Sequence, residues 1–375
     1  MSNQRIDSLR KRLIELQIDV FLVSNYYNIF YLSDFKTLTE NEREAWMLVT
    51  ANDIYLFTDD RYIKSQSSIR QLADKAHKLK LLTPEKGLIR HLQEIFTEEN
   101  IKTCGVEAGD LRLIEFQHFI KHIREARFIP TDRLIVKLRE IKDDDEINKV
   151  KVACGIADQC LEEVIKTIKI GTTEKEIAFK IEFWLKQKNH DLAFYPIVAI
   201  DKNSALPHYD TRDGNNQAVE NGSVVLIDFG AKYQNYLSDI TRMIFIGNVN
   251  QEIINTYNKL LNSQEGTIKF LDTMRSSHNY FKEVDKFCRD KNEVQSLPNF
   301  SHSTGHGVGL EIHEYPKVSI NSEDKIEPNQ IITIEPGVYF EGKWGMRIED
   351  TLLIKEEGVE VLTKLDKKSL IISNS

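Results

Sequence analysis

A chain of 375 residues with a 41% hydrophobic share can bury cores for two domains, and that apolar content excludes global disorder. The net charge of -8 leaves no electrostatic footprint for nucleic acid. No apolar run of about 18 or more residues occurs, and Met1 to Leu16 is charged throughout, so neither a membrane span nor a signal peptide is expected.

The N-terminal half alternates helical and strand patterns. Ile6, Leu9, Leu13 and Leu16 recur at helical spacing, and Asp19–Val23 reads as a strand. Trp46–Thr50 and Asp53–Phe57 read as a strand pair around Ala51-Asn52. Two more helices are expected near Leu88–Phe96 and Arg112–Ile123. The alternation predicts an α/β domain over residues 1–133. The cysteines, Cys104, Cys154, Cys160 and Cys288, form no Cys-x-x-Cys and point to reduced, buried thiols in a cytoplasmic protein.

A second domain is expected over residues 134–375. Lys142-Asp-Asp-Asp-Glu146 has the composition of a helix N-terminus rather than of a cation site. The helix it opens buries Ile147, Val150, Cys154, Ala157, Leu161, Val164 and Ile168 on one face. Thr173 and Glu176 have capping-box spacing for a helix to Lys188. Strands follow at Phe194–Ala199, 223–230 and 236–246, helices at 250–272 and 280–291, and strands at 331–340 and 346–354. Helices then strands, twice over, is a weak internal repeat.

Five residues in this half carry the chemistry. Asp228 ends the apolar run Val224-Val-Leu-Ile227, and Asp239 lies in Tyr236-Leu-Ser-Asp-Ile-Thr-Arg242. A polar turn near Lys232–Asn235 would place both on one hairpin. His306 sits between Gly305 and Gly307, glycines that would let the backbone approach a ligand closely. Glu335 follows Ile331-Ile-Thr-Ile334, and Glu349 lies in Met346-Arg-Ile-Glu-Asp-Thr351. Carboxylates ending apolar strands are costly unless paired. Four carboxylates balance two divalent cations, and an oxygen-rich set with one imidazole suits Mn, Co or Zn. Two such ions about 3.5–4 Å apart can clamp a water, lower its pKa and polarise a carbonyl.

These motifs resemble the metal-dependent pita-bread peptidases, above all the Xaa-Pro aminopeptidases and Xaa-Pro dipeptidases (prolidases). The matching pieces are Asp228-Phe-Gly, Tyr236-Leu-Ser-Asp-Ile-Thr-Arg242, Thr304-Gly-His-Gly-Val-Gly-Leu-Glu-Ile-His-Glu-Tyr-Pro316, Glu335-Pro-Gly-Val-Tyr339 and Arg347-Ile-Glu-Asp350. Asn28-Ile-Phe-Tyr-Leu32 and Thr58-Asp-Asp-Arg-Tyr62 resemble segments of the same family's N-terminal domain, with Asp34 where glycine is usual.

The resemblance implies an α/β N-terminal domain and an α+β C-terminal pita-bread (creatinase/aminopeptidase-like) domain. It implies Asp228, Asp239, His306, Glu335 and Glu349 as ligands of two divalent ions, with manganese foremost. It implies Glu335 as the base for the attacking water, His208 and His313 as residues contacting substrate or the tetrahedral intermediate, and Arg347 beside the metals. Tyr339 and His302 also match, without an assigned step; His190 and His278 are expected at the surface. The expected activity is release of the residue before proline from a peptide N-terminus. Rivals are dipeptidase action, a metal-free creatinase-like reaction, and a non-catalytic binding protein of the same fold. A homodimer, with one chain's N-terminal domain bordering its partner's cleft, is also implied. Departures from the family pattern fall at Ile200-Asp-Lys202, Tyr209, Ser301, Ser303 and the Leu271–Phe281 turn, and bear on substrate range.

Overall fold

Strands with uninterrupted apolar runs need cover on both faces, and the N-terminal half is built that way. In the computed structural model, which describes residues 2–63, 78–274, 279–368 and 371–372, the chain divides into units Met1–Arg139 and Glu140–Ser375. The division falls six residues beyond the expected 133/134 boundary.

In the first unit, β1 (Val20–Val23), β2 (Ala45–Val49), β3 (Ile54–Thr58), β4 (Lys78–Leu81), β5 (Thr103–Glu107) and β6 (Arg127–Thr131) form one sheet in the order β4-β3-β2-β1-β5-β6. The expected strand pair is antiparallel, with Trp46 opposite Phe57. Val20, Leu22, Leu48, Phe57 and Val106 pack with Leu92, Ile95 and Phe96 of α3 (Leu88–Glu98) and Phe119 of α4 (Leu113–His122). The alternate residues Phe21, Val23, Met47 and Leu56 are also fully buried, as are Ile6 and Leu9 of α1 (Ser2–Glu15). The stretch after β1 contains a helix, α2 (Tyr26–Ser33), that periodicity left unassigned. Asn25 caps it, and Asp34 ends it at φ 58°, a left-handed conformation that Asp tolerates where glycine is easiest.

In the second unit, Asp143 accepts from Glu146 N at 2.9 Å and opens α5 (Asp144–Ile165), the expected cap. Helix α6 (Glu174–Gln187) begins with the Thr173–Glu176 capping box. Both pack on β7 (Ile197–Ile200), β8 (Val224–Phe229) and β11 (Ile240–Ile246). Helices α7 (Gln251–Met274) and α8 (Phe281–Val294) supply Leu271, Phe281 and Val284 to a core shared with the second sheet. That sheet runs β13 (Glu314–Val318), β12 (Gly305–Gly307), β14 (Ile331–Ile334), β17 (Asp350–Ile354) and β18 (Val359–Val361). The helix-pair-then-sheet pattern therefore does occur twice. All four cysteines are buried and unpaired. Among the described residues, no helix is long and apolar enough to cross a membrane.

Three expected strands are interrupted, and two more are shortened. The stretch 223–230 stops at Phe229, and short strands β9 (Ala231–Tyr233) and β10 (Tyr236–Leu237) pair before β11 begins. Between Gly230 and β11 the chain leaves the first sheet and returns; a Cβ on Gly230 would run into Ser238 O. Strands β14 and β15 (Gly337–Phe340) break at Glu335-Pro336, where Pro336 offers no N–H to a ladder. Strands β16 (Trp344–Arg347) and β17 break at Ile348-Glu349. The Phe194–Ala199 strand starts only at Ile197, for the same reason at Pro196. His278 lies outside the described residues, as does the middle of the Leu271–Phe281 segment.

Candidate metal centre

The strand interruptions place three of the four expected ligand carboxylates. Asp239, Glu335 and Glu349 each lie between strands, while Asp228 is on β8 and His306 on β12. Asp228 lies opposite Thr241 in the β8–β11 ladder, and Thr241 in turn bridges to Glu349. Glu349 N donates to Thr241 O at 3.3 Å, and Thr241 Oγ1 donates to Glu349 Oε2 at 2.7 Å. Thr241 thus ties the first sheet to the Arg347–Glu349 segment.

The glycines around His306 are required by the sheet itself. A Cβ on Gly305 would run into Thr333 O, and one on Gly307 into Tyr315 O. They let β12 pass between its neighbours. His306 Nδ1 lies 3.1 Å from Gly307 O, which fixes Nδ1–H as donor and leaves Nε2 free to ligate. Nε2 is 3.3 Å from Glu335 Oε1 and 3.6 Å from Asp239 Oδ2. Donor atoms of Asp239, His306 and Glu349 lie within 4.8 Å of one another.

The charges conflict unless a cation joins them. Burial, then repulsion from Glu349, Asp228 and Glu335, pushes Asp239 well above the usual carboxylate range. Burial, then Glu335 and Asp228, does the same to Glu349. Burial also raises Asp228, against the opposing pull of Arg347. Glu335 goes the other way: burial would raise it, but the hydrogen bond and charge of His306, then His302 and Arg347, hold it low. Among the described residues, Asp228 Oδ1 and Asp239 Oδ1 are buried without a hydrogen-bond partner. Orphaned buried acceptors beside an imidazole nitrogen fit divalent cations in both charge and donor type.

All the expected site residues line one cavity of about 690 Å³: Asp228, Asp239, His306, Glu335, Glu349, His208, His313 and Arg347. Arg347 is 4% exposed and its Nη2 donates to Asp228 Oδ2. Its Nη1 donates to Tyr339 Oη at 2.9 Å and to Pro207 O at 3.2 Å. His302 Nε2 lies 3.0 Å from Tyr339 Oη. His313 stacks edge-on to His306 at 4.4 Å; burial, then the charge of His306, pushes its pKa down to about 4, although solvent still reaches the ring. His208 is exposed on the cavity wall.

The pattern of metallopeptidase family M24 matches residues 148–356, and that of the Creatinase/Prolidase N-terminal domain matches residues 5–141. The chain belongs to metallopeptidase family M24. It is 32% identical over 369 residues to a Xaa-Pro dipeptidase of Pyrococcus furiosus, covering 98% of this chain and 99% of the relative. Its fold matches a solved Xaa-Pro dipeptidase from Bacillus anthracis with a TM-score of 0.89 and 32% identity, covering 99% of this chain and 100% of the other. It matches an X-Pro aminopeptidase from Thermotoga maritima with a TM-score of 0.83 and 31% identity, over 96% of this chain and 100% of the other. As an M24 metallopeptidase with the pita-bread fold, it is a hydrolase whose family uses divalent metals.

The structure of this M24 peptidase adds residues to which the motifs assigned no role. Thr241 was visible only as part of the Asp239–Arg242 string, and nothing local to it points to Glu349. Arg242 is fully buried; it donates to Glu349 O at 2.6 Å and to Asp350 Oδ1 at 2.7 Å. Lys142, read as part of a helix cap, is buried in an ion pair with Glu314 at 2.8 Å. At one departure, Asp201 takes φ 49° and accepts from Val224 N at 2.8 Å, so a carboxylate replaces a flexible turn with a fixed one.

Proposed function

We propose that this peptidase hydrolyses the bond before proline at a peptide N-terminus. The observation that carries the reading is the convergence on one cavity wall of one histidine Nε2 and four carboxylates, two of which hold an orphaned oxygen. Asp228, Asp239, His306, Glu335 and Glu349 are the residues that would hold two divalent ions, manganese foremost, with cobalt or zinc as alternatives. Bound there, such ions supply the positive charge that acidifies a water and polarises a carbonyl.

The side chains then divide the remaining work. Glu335, ionised as a ligand of those cations, would take the proton of the attacking water. Asp228 is fixed by Arg347, so its second oxygen keeps one direction. Neutral His313 can share a hydrogen bond with the substrate carbonyl, and His208 faces it from the Pro207 turn. Phe194, Tyr195, Ile197 and Ile312 add an apolar wall suited to a proline ring.

The sequence reading puts aminopeptidase action first and dipeptidase action as its rival, with no motif that separates them. The two relatives bearing the dipeptidase name, each alike over nearly the whole chain, support dipeptides first, and the Thermotoga maritima likeness supports longer peptides. The test is a manganese-supplemented assay of Xaa-Pro dipeptides, longer Xaa-Pro peptides and matched Xaa-Ala peptides. Cleavage of Xaa-Ala at the Xaa-Pro rate would sink the proline reading. Cleavage of longer peptides alone would return it to the aminopeptidase.

A further inference from the structure

Tyr209 follows His208 where the family pattern has glycine, and its side chain turns away from the cavity. It is 6% exposed and packs with Ala199, Leu226, Met243, Val338 and Met346. Its hydroxyl donates to Glu174 Oε2 at 2.7 Å and accepts from Asn203 Nδ2 at 3.1 Å. Glu174 is fully buried, at the start of α6. It also accepts from Ile200 N at 2.7 Å, Asn203 Nδ2 at 2.8 Å and Gln217 N at 3.0 Å. A Cβ on Gly214 would run into the Tyr209 hydroxyl, so the loop closes directly over the phenol.

These contacts bracket His208. On one side the Pro207 carbonyl is held by Arg347, which also holds Asp228. On the other, the Tyr209 ring is anchored to α6 through Glu174. We infer that Tyr209 and Glu174 are positioning residues that set His208 against the metal centre, so that an exposed histidine on a loop meets the substrate in one orientation. The buried carboxylate has the donors a charged group needs, and a network satisfied this fully is rigid. Removing the hydroxyl frees the loop without removing the ring from the core. This inference rests on the Xaa-Pro peptidase reading for the role of His208.

The test is Tyr209→Phe in the full-length, manganese-loaded chain, read in three ways. Hydrogen–deuterium exchange should rise in residues 203–214 and stay unchanged in strands β8 and β11. Metal content should stay that of the parent. The kcat on Xaa-Pro peptide should fall about tenfold with KM within about twofold, because a misplaced wall residue weakens the transition state more than the ground state. Unchanged exchange in 203–214 overturns the inference, and so does faster exchange that leaves kcat untouched or changes only KM. Loss of metal, or faster exchange through β8 and β11, would mark the network as general scaffold and also overturn it. If the parent chain cleaves no Xaa-Pro peptide, the functional reading fails, while the exchange comparison still decides whether Tyr209 holds the loop.

Discussion

Thr241 Oγ1 donates its hydrogen to Glu349 Oε2 at 2.7 Å, across 108 positions of chain. The same oxygen receives Arg347 Nε at 3.3 Å. One hydroxyl therefore orients an expected ligand and steadies the arginine that orients another. Partners of this kind typically change metal affinity or activity about 10–100-fold when lost. Thr241→Val keeps the β-branched shape in β11, so the fold should survive. Metal titration should show weaker binding, with an unchanged thermal midpoint in metal-free buffer.

Metal binding should depend steeply on pH. Asp239 and Glu349 are raised well above the usual carboxylate range when no cation is bound, chiefly by burial and then by their acidic neighbours. Ligands must be deprotonated to bind, so protons compete and are released on binding. Affinity should rise with pH through that raised range and be lost as pH falls through it. Calorimetric titrations in buffers of different ionisation enthalpy would show the released protons. A proton count of zero at mildly acidic pH would contradict the crowding of these carboxylates.

Glu335→Gln should separate catalysis from binding. The amide keeps one coordinating oxygen and the shape but loses the charge and the basicity. The variant should fold, retain metal and peptide, and turn over at least about a hundredfold slower. Near-parental turnover at saturating metal would require another proton acceptor. Asp239→Asn should instead weaken metal retention itself, measured by elemental analysis after dialysis.

Asp350 follows Glu349 but does structural work. Fully buried itself, it accepts from Arg242 at 2.7 Å, Gln264 at 2.8 Å and the partly exposed Lys367 at 2.6 Å. Removing one partner of such a pair leaves an uncompensated charge, at about 3–5 kcal/mol. Asp350→Asn should lower the thermal midpoint markedly, with or without metal. Metal rescue of the midpoint to the parental value would mean that Asp350 acts through the site instead.

In the first unit, Glu44 tests acid stability. Burial would raise its pKa, but hydrogen bonds from Tyr62 and Thr39 and the charge of Arg61 leave it below the usual value. A depressed carboxylate stabilises the fold above its unfolded pKa and loses that contribution as pH falls through the folded one. Glu44→Gln should therefore destabilise at neutral pH and narrow its gap from the parent in acid. Thermal melts from neutral pH down through the carboxylate range would show it.

Much of the site was legible in the chain because its physics is local. A carboxylate closing an apolar run, as at Asp228 and Glu335, is too costly to leave unpaired, so residue type and neighbours already imply a cation. The acidic start of α5 and the capping box at Thr173 were readable for the same reason: cap and partner lie within a few residues of each other. Other features belong to the tertiary structure because their partners are far apart in sequence. The glycines beside His306 answer to Thr333 and Tyr315, Thr241 answers to Glu349, and Tyr209 answers to Glu174. The strands likewise stop short at Asp239, Glu335 and Glu349, where apolar periodicity ran on. Side-chain alternation records which face is buried, but a backbone leaves its ladder only when the neighbouring strand, or a proline without an N–H, stops offering a hydrogen bond.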